Sequence, residues 1–189
     1  MKKNALLIGV ILIVCCSCHR VAVPKPYGYA RIALPDTAYE IYSGQFPFRF
    51  ALSQNAEAQW HTESQGSRWL DIRYPTLNAT FHCSYFPVHE DLDVLTNDAV
   101  NLVYKHAAQA TAIPDQAYVN EQERVYGVLF HLQGNVASPY QFFLTDSVYH
   151  FFRVSVYCEC RPNADSLAPV YDYLEKDVRR MIESWQWVK

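Results

Sequence analysis

The stretch that decides the fold runs from Val125 to Tyr157 and reads VYGVLFHLQGNVASPYQFFLTDSVYHFFRVSVY. Three runs rich in Val, Phe, Tyr and Leu are separated by two turn signals, one at Gly134-Asn135 and one at residues 145–147. Such aromatic and β-branched residues favour strands, and the small polar residues between them favour turns. The stretch therefore predicts a β-meander. Its strands are expected near residues 125–133, 139–145 and 148–158.

The first and third strands of this meander support two further predictions. Apolar residues occupy both faces of the first strand, for example Val128 and Leu129, which predicts a central strand that is covered on two sides. In the third strand Arg153 lies among aromatic residues. A cation at a strand centre needs a partner or an aromatic surface on which to stack.

Alternating apolar and polar residues predict three further strands upstream of the meander. They are expected at residues 46–52, 69–74 and 79–88. The segments 53–67 and 111–123 are polar, and we predict that both are loops.

Two segments carry apolar residues at three- and four-residue steps, which predicts helices. The first covers residues 91–110, and the second extends from a predicted cap at Ser166 to Trp185. On the second helix Glu175 and Arg179 are four residues apart and are expected to pair. The order strands, helix, strands, helix predicts one α+β domain over residues 31–189, an antiparallel β-sheet with packed helices that forms a sandwich.

The N-terminus has the pattern of an export signal. Two lysines precede an apolar run that is shorter than the roughly 20 residues a bilayer-spanning helix needs, and cysteines follow it. We predict a lipoprotein signal peptide over residues 1–17, lipidation at Cys18, and a lipid-anchored tether over residues 18–30. Cys16 is the second choice for lipidation. The alternative is an ordinary cleaved signal with incidental cysteines.

The charge balance limits the partners. The chain has a net charge of −3, and removal of the signal peptide would take away lysines but no acidic residue. An acidic body argues against nucleic acid as a partner and against electrostatic attraction to anionic lipid. Membrane attachment would come from acyl chains such as palmitate on the terminal cysteine. The tether lacks an acidic run of the kind that would direct surface export, so we expect the protein to face the periplasm.

Three cysteines lie in the predicted domain. An oxidising envelope permits a disulfide from Cys83 to either Cys158 or Cys160, provided that their strands are neighbours. Cys158 and Cys160 share a strand face and do not readily bond each other. Free buried thiols are the alternative.

No catalytic, metal or cofactor motif stands out. Ser138, Asp146 and His150 contain the residue types of a hydrolase triad, but Ser138 lacks the surrounding G-x-S-x-G turn. The histidines and cysteines of the predicted strands show no recurrent metal-binding spacing. We therefore predict no enzyme, no metal and no cofactor. The alternative is an envelope hydrolase or ligand-binding lipoprotein, with a deep pocket lined by Ser138, His150 or Arg153.

The meander's first loop is the candidate partner-binding surface, because recognition often occurs on loops that rigid strands hold. It consists of Gly134, Asn135, Val136, Ala137, Ser138 and Pro139. The alternative is a simple hairpin loop with Gly134 or Asn135 at positive φ.

Six stretches resemble the gliding-motility lipoprotein GldD family, and they run in that family's order over most of the predicted mature chain. They are PKPYGYARIALP (24–35), FPFRF (46–50), YPTLNATFHCSYFPV (74–88), YKHAAQATAI (104–113), the meander at 125–157 and PNADSLAP (162–169). GNVASPYQFFLTDS within the meander is the most specific of them. Cys158 and Cys160 lie outside the family pattern.

The resemblance implies a membrane-anchored, non-enzymatic accessory or assembly component of the gliding motility and type IX secretion machinery. It implies no cofactor, and its partners would be other lipoproteins or membrane components of that machinery. The order of strands and helices is also similar to the PsbP/Mog1-type sandwich, which is an analogy of fold alone.

Overall fold

A computed structural model of the chain describes residues 32–44, 46–62, 68–105 and 108–188. The predicted signal peptide and tether, with Cys16 and Cys18, lie outside the described residues. Among the helices of the described part, none is long and apolar enough to cross a bilayer.

The described residues form ten strands, two α-helices and one short 3-10 turn. The strands are β1 Tyr39–Ser43, β2 Phe48–Ser53, β3 Glu57–Thr62, β4 Arg68–Tyr74, β5 Ala79–Pro87, β6 Asp115–Asn120, β7 Val125–His131, β8 Tyr140–Thr145, β9 His150–Cys158 and β10 Gln186–Trp187. The helices are α1 Leu92–Tyr104 and α2 Ala164–Glu183, and the 3-10 turn is Pro75–Leu77.

The strands form two antiparallel sheets. The large sheet has seven strands in the order β3-β4-β5-β9-β8-β7-β6, and the small sheet has the order β1-β2-β10. The predicted meander is confirmed, because β7, β8 and β9 are neighbours and Phe142 lies opposite both Leu129 and Val154.

The main core lies between one face of the large sheet and a layer made by the small sheet and α2. Its aromatic centre is Trp185, whose ring centroid lies 4.7 Å from that of Phe48 and 4.5 Å from that of Phe152. Burial of one such ring contributes roughly 4–6 kcal/mol of transfer free energy. The apolar stripe predicted for the second helix is confirmed. Its residues Val170, Leu174, Val178 and Met181 are buried in this core.

A second, smaller core lies on the opposite face of the large sheet. There Ala99 and Val103 of α1 pack near Phe130, Phe143 and Phe151. The two cores together confirm that β7 is covered on both sides. The architecture is a sandwich-like α+β fold, as predicted, and the closer likeness to the PsbP/Mog1 type stays a prediction.

The two polar segments predicted as loops each contain a strand, so that part of the prediction is wrong. Glu57–Thr62 pairs with β4, and Asp115–Asn120 pairs with β7. Both strands lie at the edges of the large sheet. An edge strand gains its hydrogen bonds from the backbone of one neighbour and needs few apolar side chains, so its sequence resembles that of a loop.

Both helices differ from prediction: α1 is shorter, and α2 begins earlier and ends at Glu183 and not at Trp185. α1 ends at Tyr104 and not at residue 110, and Thr111 N instead donates a hydrogen bond to the carbonyl of Gln133 at 2.9 Å. α2 is capped by Asn163 and not by Ser166: the Asn163 side chain accepts a hydrogen bond from Ser166 N at 3.2 Å. The predicted pair of Glu175 and Arg179 is confirmed, with 2.7 Å between Oε1 and Nη2.

Candidate functional site

The candidate partner-binding loop, residues 134–139, joins β7 to β8. Gly134 adopts φ = 103°, a left-handed conformation that glycine tolerates best. A Cβ at this position would also lie 3.2 Å from Thr111 N. The prediction that Gly134 or Asn135 takes a positive φ is confirmed for Gly134.

Three hydrogen bonds tie this loop to α2 and to the end of β9. Asn135 Oδ1 accepts from Ala164 N in the first turn of α2 at 2.8 Å. The carbonyl of Val136 accepts from the Tyr171 hydroxyl at 3.2 Å, and the carbonyl of Ala137 accepts from Cys158 N at 3.1 Å. The loop is therefore held in one shape, and two of its three bonds use its backbone alone.

Half of the loop faces inward. Val136 and Ser138 are 1% and 0% exposed, and Pro139 is buried as well. Asn135 is exposed, while Gly134 and Ala137 are half-buried. The surface that this loop offers to a partner is therefore Gly134, Asn135 and Ala137, and its role in binding stays a prediction.

Ser138, Asp146 and His150 are not brought together. Ser138 precedes β8 and Asp146 follows it, and the six residues of β8 separate them by about 20 Å. Asp146 Oδ1 instead accepts hydrogen bonds from the backbone N–H groups of Val148, Tyr149 and His150 at 2.7–3.0 Å. Burial opposes ionisation of Asp146, but these bonds outweigh it and lower the pKa of the carboxyl.

The His150 ring lies among aromatic side chains. Its Nδ1 lies 2.8 Å from the Tyr85 hydroxyl, and its ring stacks on Trp187 with 5.1 Å between centroids. Burial lowers the pKa of the imidazole, although the charge of Asp146 opposes this. The arrangement packs the histidine into an aromatic group, and it does not place it near a nucleophile.

The three cysteines of the described residues are free thiols, so the disulfide alternative is wrong. Cys83 lies opposite Val154, while Cys158 lies opposite Ala79, which separates the two cysteines by about 13 Å along neighbouring strands. Cys83 and Cys158 are buried, and Cys160 is exposed. Within the described ranges, no cluster of three or more His, Cys, Asp or Glu side chains could hold a metal ion.

A polar cleft that the sequence did not predict lies on the face of the large sheet that α1 covers only in part. The sheet register places Asp71, His82, Ser155 and Gln141 side by side across four neighbouring strands, β4, β5, β9 and β8. The cleft, of about 390 Å³, lies between this row and the C-terminal end of α1. Its lining residues are His82, Ser84, Leu102, Lys105, Gln141, Arg153, Ser155 and Tyr157.

Of the three residues expected to line a pocket, Arg153 lines this cleft, and Ser138 and His150 do not. Burial lowers the pKa of the Arg153 guanidinium, while the charge of Asp98 on α1 favours its ionised form. The alternation of His82 with Ser84, and of Arg153 with Ser155, was the sequence signal of a polar face. It did not show that the two strands are neighbours.

An ion-pair cluster borders the cleft. Asp71 Oδ1 lies 2.8 Å from His82 Nδ1, and its Oδ2 lies 3.2 Å from His61 Nε2. Arg73 Nη2 is 4.0 Å from the same carboxylate oxygen. The Asp71 carboxylate is therefore engaged by its own neighbours and holds the His82 ring at the rim.

One comparison with known proteins gives a match. A family model described as gliding motility lipoprotein GldD matches residues 19–187, which is nearly the whole chain. No curated protein matches the chain.

Proposed function

The chain belongs to the gliding motility lipoprotein GldD family, and from this premise we propose a non-enzymatic accessory and assembly component of the gliding motility and type IX secretion machinery. Membership implies involvement in gliding motility and a membrane-anchored position in the cell envelope. The family is not a known enzyme family. The match over residues 19–187 is the observation that carries the proposal.

The proposed anchor is a diacylated Cys18, with Cys16 as the second choice, and the folded domain faces the periplasm. Palmitate-type chains contribute about 0.8 kcal/mol for each buried CH₂, so several chains hold the protein firmly at a bilayer. Metabolic labelling with palmitate tests this directly. Labelling should be lost in Cys18→Ser and retained in Cys16→Ser, and the reverse result would move the anchor to Cys16.

The proposed working surface is the exposed part of the loop at residues 134–139. Its hydrogen bonds to Ala164, Tyr171 and Cys158 fix the loop before any partner arrives. A pre-organised loop loses little conformational entropy on binding, which favours a specific contact with another lipoprotein or membrane component of the machinery. The absence of an assembled Ser138–Asp146–His150 site supports a binding role over hydrolysis.

A matched pair of arginine substitutions tests the surface. Ala137 is half-buried at the loop, and Ala117 is exposed on the edge strand β6. Ala137→Arg should abolish capture of the other machinery lipoproteins in an affinity pull-down of the lipidated protein from membranes. Ala117→Arg makes the same chemical change elsewhere and should capture them as the unaltered protein does.

Thermal unfolding of both variants separates a lost contact from a lost fold. Surface substitutions usually change stability by no more than about 0.5 kcal/mol, so both should unfold near the unaltered protein. If the two folded variants capture the same amounts of the same lipoproteins, the loop is not the contact surface. Deletion of the protein should also lower the levels of its partner lipoproteins.

A ligand-binding lipoprotein is the second candidate, and the cleft beside Arg153 is the observation that favours it. The two functions are compatible, because the cleft and the exposed part of the loop share no residue.

A further inference from the structure

The cleft under the C-terminal end of α1 is built from side chains that donate hydrogen bonds. We propose that it binds a small organic anion, with the oxyanion group on Arg153 and Gln141 and the apolar body against Leu102 and Tyr157. This site is separate from the proposed loop contact and can fail without affecting it.

Gln141 gives the first argument. This side chain is 3% exposed, and its Oε1 lies 3.4 Å from the Ser155 hydroxyl, which donates to it. Its Nε2 has no hydrogen-bond partner among the described residues. A buried amide donor without an acceptor costs roughly 1–3 kcal/mol, so an oxygen atom delivered by a ligand would remove that cost.

The charges of the lining give the second argument. Lys105 and Arg153 line the 390 Å³ cleft, and none of the described residues that line it is a carboxylate. Asp98 lines only the wider adjoining opening, which has a volume of about 730 Å³. Arg153 lines both this opening and the cleft. Asp71 is engaged by His82, whose Nδ1 lies 2.8 Å from Oδ1. The charged side chains that line the cleft are therefore cationic, which favours an anion as the ligand.

The chemistry of the donors indicates what kind of anion. A guanidinium presents a planar fork that matches the paired oxygens of a carboxylate or a phosphate, and such charge-assisted bonds are stronger than neutral ones. Carboxylates and phosphates share this oxyanion chemistry. The volume of 390 Å³ lies within the range of small-molecule sites. Leu102 and Tyr157 supply the apolar wall for a short carbon chain.

The test is an NMR titration of the lipidated full chain in a neutral sugar detergent. The probes are butyrate, ethyl phosphate and the uncharged isostere butyramide, followed at the side-chain N–H signals of Gln141 and Arg153. We expect saturable shifts with butyrate or with ethyl phosphate and none with butyramide. The stronger of the two anions identifies the source of the oxyanion as a carboxylate or a phosphate.

Substitutions locate the site. Arg153→Met and Gln141→Leu should each weaken binding about tenfold or more, as expected for loss of a charge-assisted hydrogen bond. Arg153→Lys keeps the charge and should weaken binding less. Arg49→Met is the matched control, because Arg49 is an exposed arginine of the small sheet that does not line the cleft.

Three results would overturn the proposal. They are equal shifts with butyrate and butyramide, equal weakening by Arg153→Met and Arg49→Met, or no saturable shift with either anion at concentrations up to about 10 mM. At that concentration a site with a Kd of about 1 mM would be roughly 90% occupied. Thermal unfolding of each variant shows whether it is still folded. Because a half-buried cation is costly, Arg153→Met should unfold at the same temperature as the unaltered protein or higher. If Arg153→Met unfolds, Gln141→Leu and Arg153→Lys still decide the outcome.

Discussion

Replacement of Gly127 by alanine tests a position in the meander where two backbones leave no room for a Cβ. Gly127 lies in β7 opposite Leu144 of β8. A Cβ at this position would be 2.1 Å from the carbonyl oxygen of Phe143 and 2.8 Å from Leu144 Cδ2. The first of these contacts is with backbone, so no side-chain rotation can relieve it. The two strands must separate by about 1.4–1.9 Å to reach an ordinary contact distance of about 3.5–4.0 Å.

The expected loss of stability has two parts. Overpacking in a well-packed core costs typically 1–3 kcal/mol. Separation of the strands would also weaken about two ladder hydrogen bonds at roughly 1 kcal/mol each. Together these predict a loss of about 3–5 kcal/mol for Gly127→Ala. For a domain of this size, that lowers Tm by roughly 6–20 °C.

Thermal and urea unfolding followed by circular dichroism provide the assay. Gly44→Ala is the control, because the nearest atoms to a Cβ there would be side-chain atoms, Tyr42 Oη at 3.3 Å and Trp60 Nε1 at 3.6 Å. This substitution should change stability by less than about 1 kcal/mol. If Gly127→Ala unfolds within 2–3 °C of the unaltered protein, about 1 kcal/mol or less, the strands do not approach as closely as described. In cells the variant should be depleted by proteolysis, with gliding falling in parallel.

Three further predictions concern titratable groups. Burial raises the pKa of Asp177, which accepts a hydrogen bond from the Tyr39 hydroxyl at 2.6 Å, so its ionisation destabilises the fold as pH rises from about 4 through the folded pKa. Asp177→Asn should therefore gain stability relative to the unaltered protein between pH 4 and pH 7 in urea unfolding, and a constant difference would contradict this. Asp146→Ala should lose about 2–3 kcal/mol at pH 7, because three backbone N–H groups lose their acceptor. Since the pKa of Asp146 is lowered in the fold, that difference should shrink on acidification through the folded pKa. Cys160 is exposed, whereas burial raises the pKa of Cys158 to about 12, so alkylation of the native protein at pH 8 should modify Cys160 first, and equal labelling in peptide mass spectra would refute this.

The sequence predicted the centre of the fold better than its edges, for a physical reason. Central strands bury side chains on both faces, so the meander at residues 125–157 has a hydrophobic pattern that is visible in the sequence. The edge strands Glu57–Thr62 and Asp115–Asn120 depend on backbone pairing with one neighbour. Composition does not record such pairing, and both segments were predicted as loops.

The candidate sites show the same limit. The sequence predicted where the loop of residues 134–139 lies, but not that Val136 and Ser138 turn inward, because that depends on where α2 packs. It singled out Arg153 as a cation in need of a partner. It did not predict Gln141 as its neighbour in the cleft, since this requires the register of β8 against β9.

One strand carries both proposed surfaces. All six residues of β8 are buried, and the strand begins one residue after the loop ends at Pro139 and places Gln141 on the floor of the cleft. A strand packed on both faces is rigid, so a change at the loop should leave the cleft intact, and the reverse should also hold. Ala137→Arg should therefore lose the partner and keep the anion, while Arg153→Met should lose the anion and keep the partner. Gly127→Ala, in the neighbouring strand β7, displaces β8 and should weaken both partner capture and anion binding. This result distinguishes damage to the shared strand from damage to either surface.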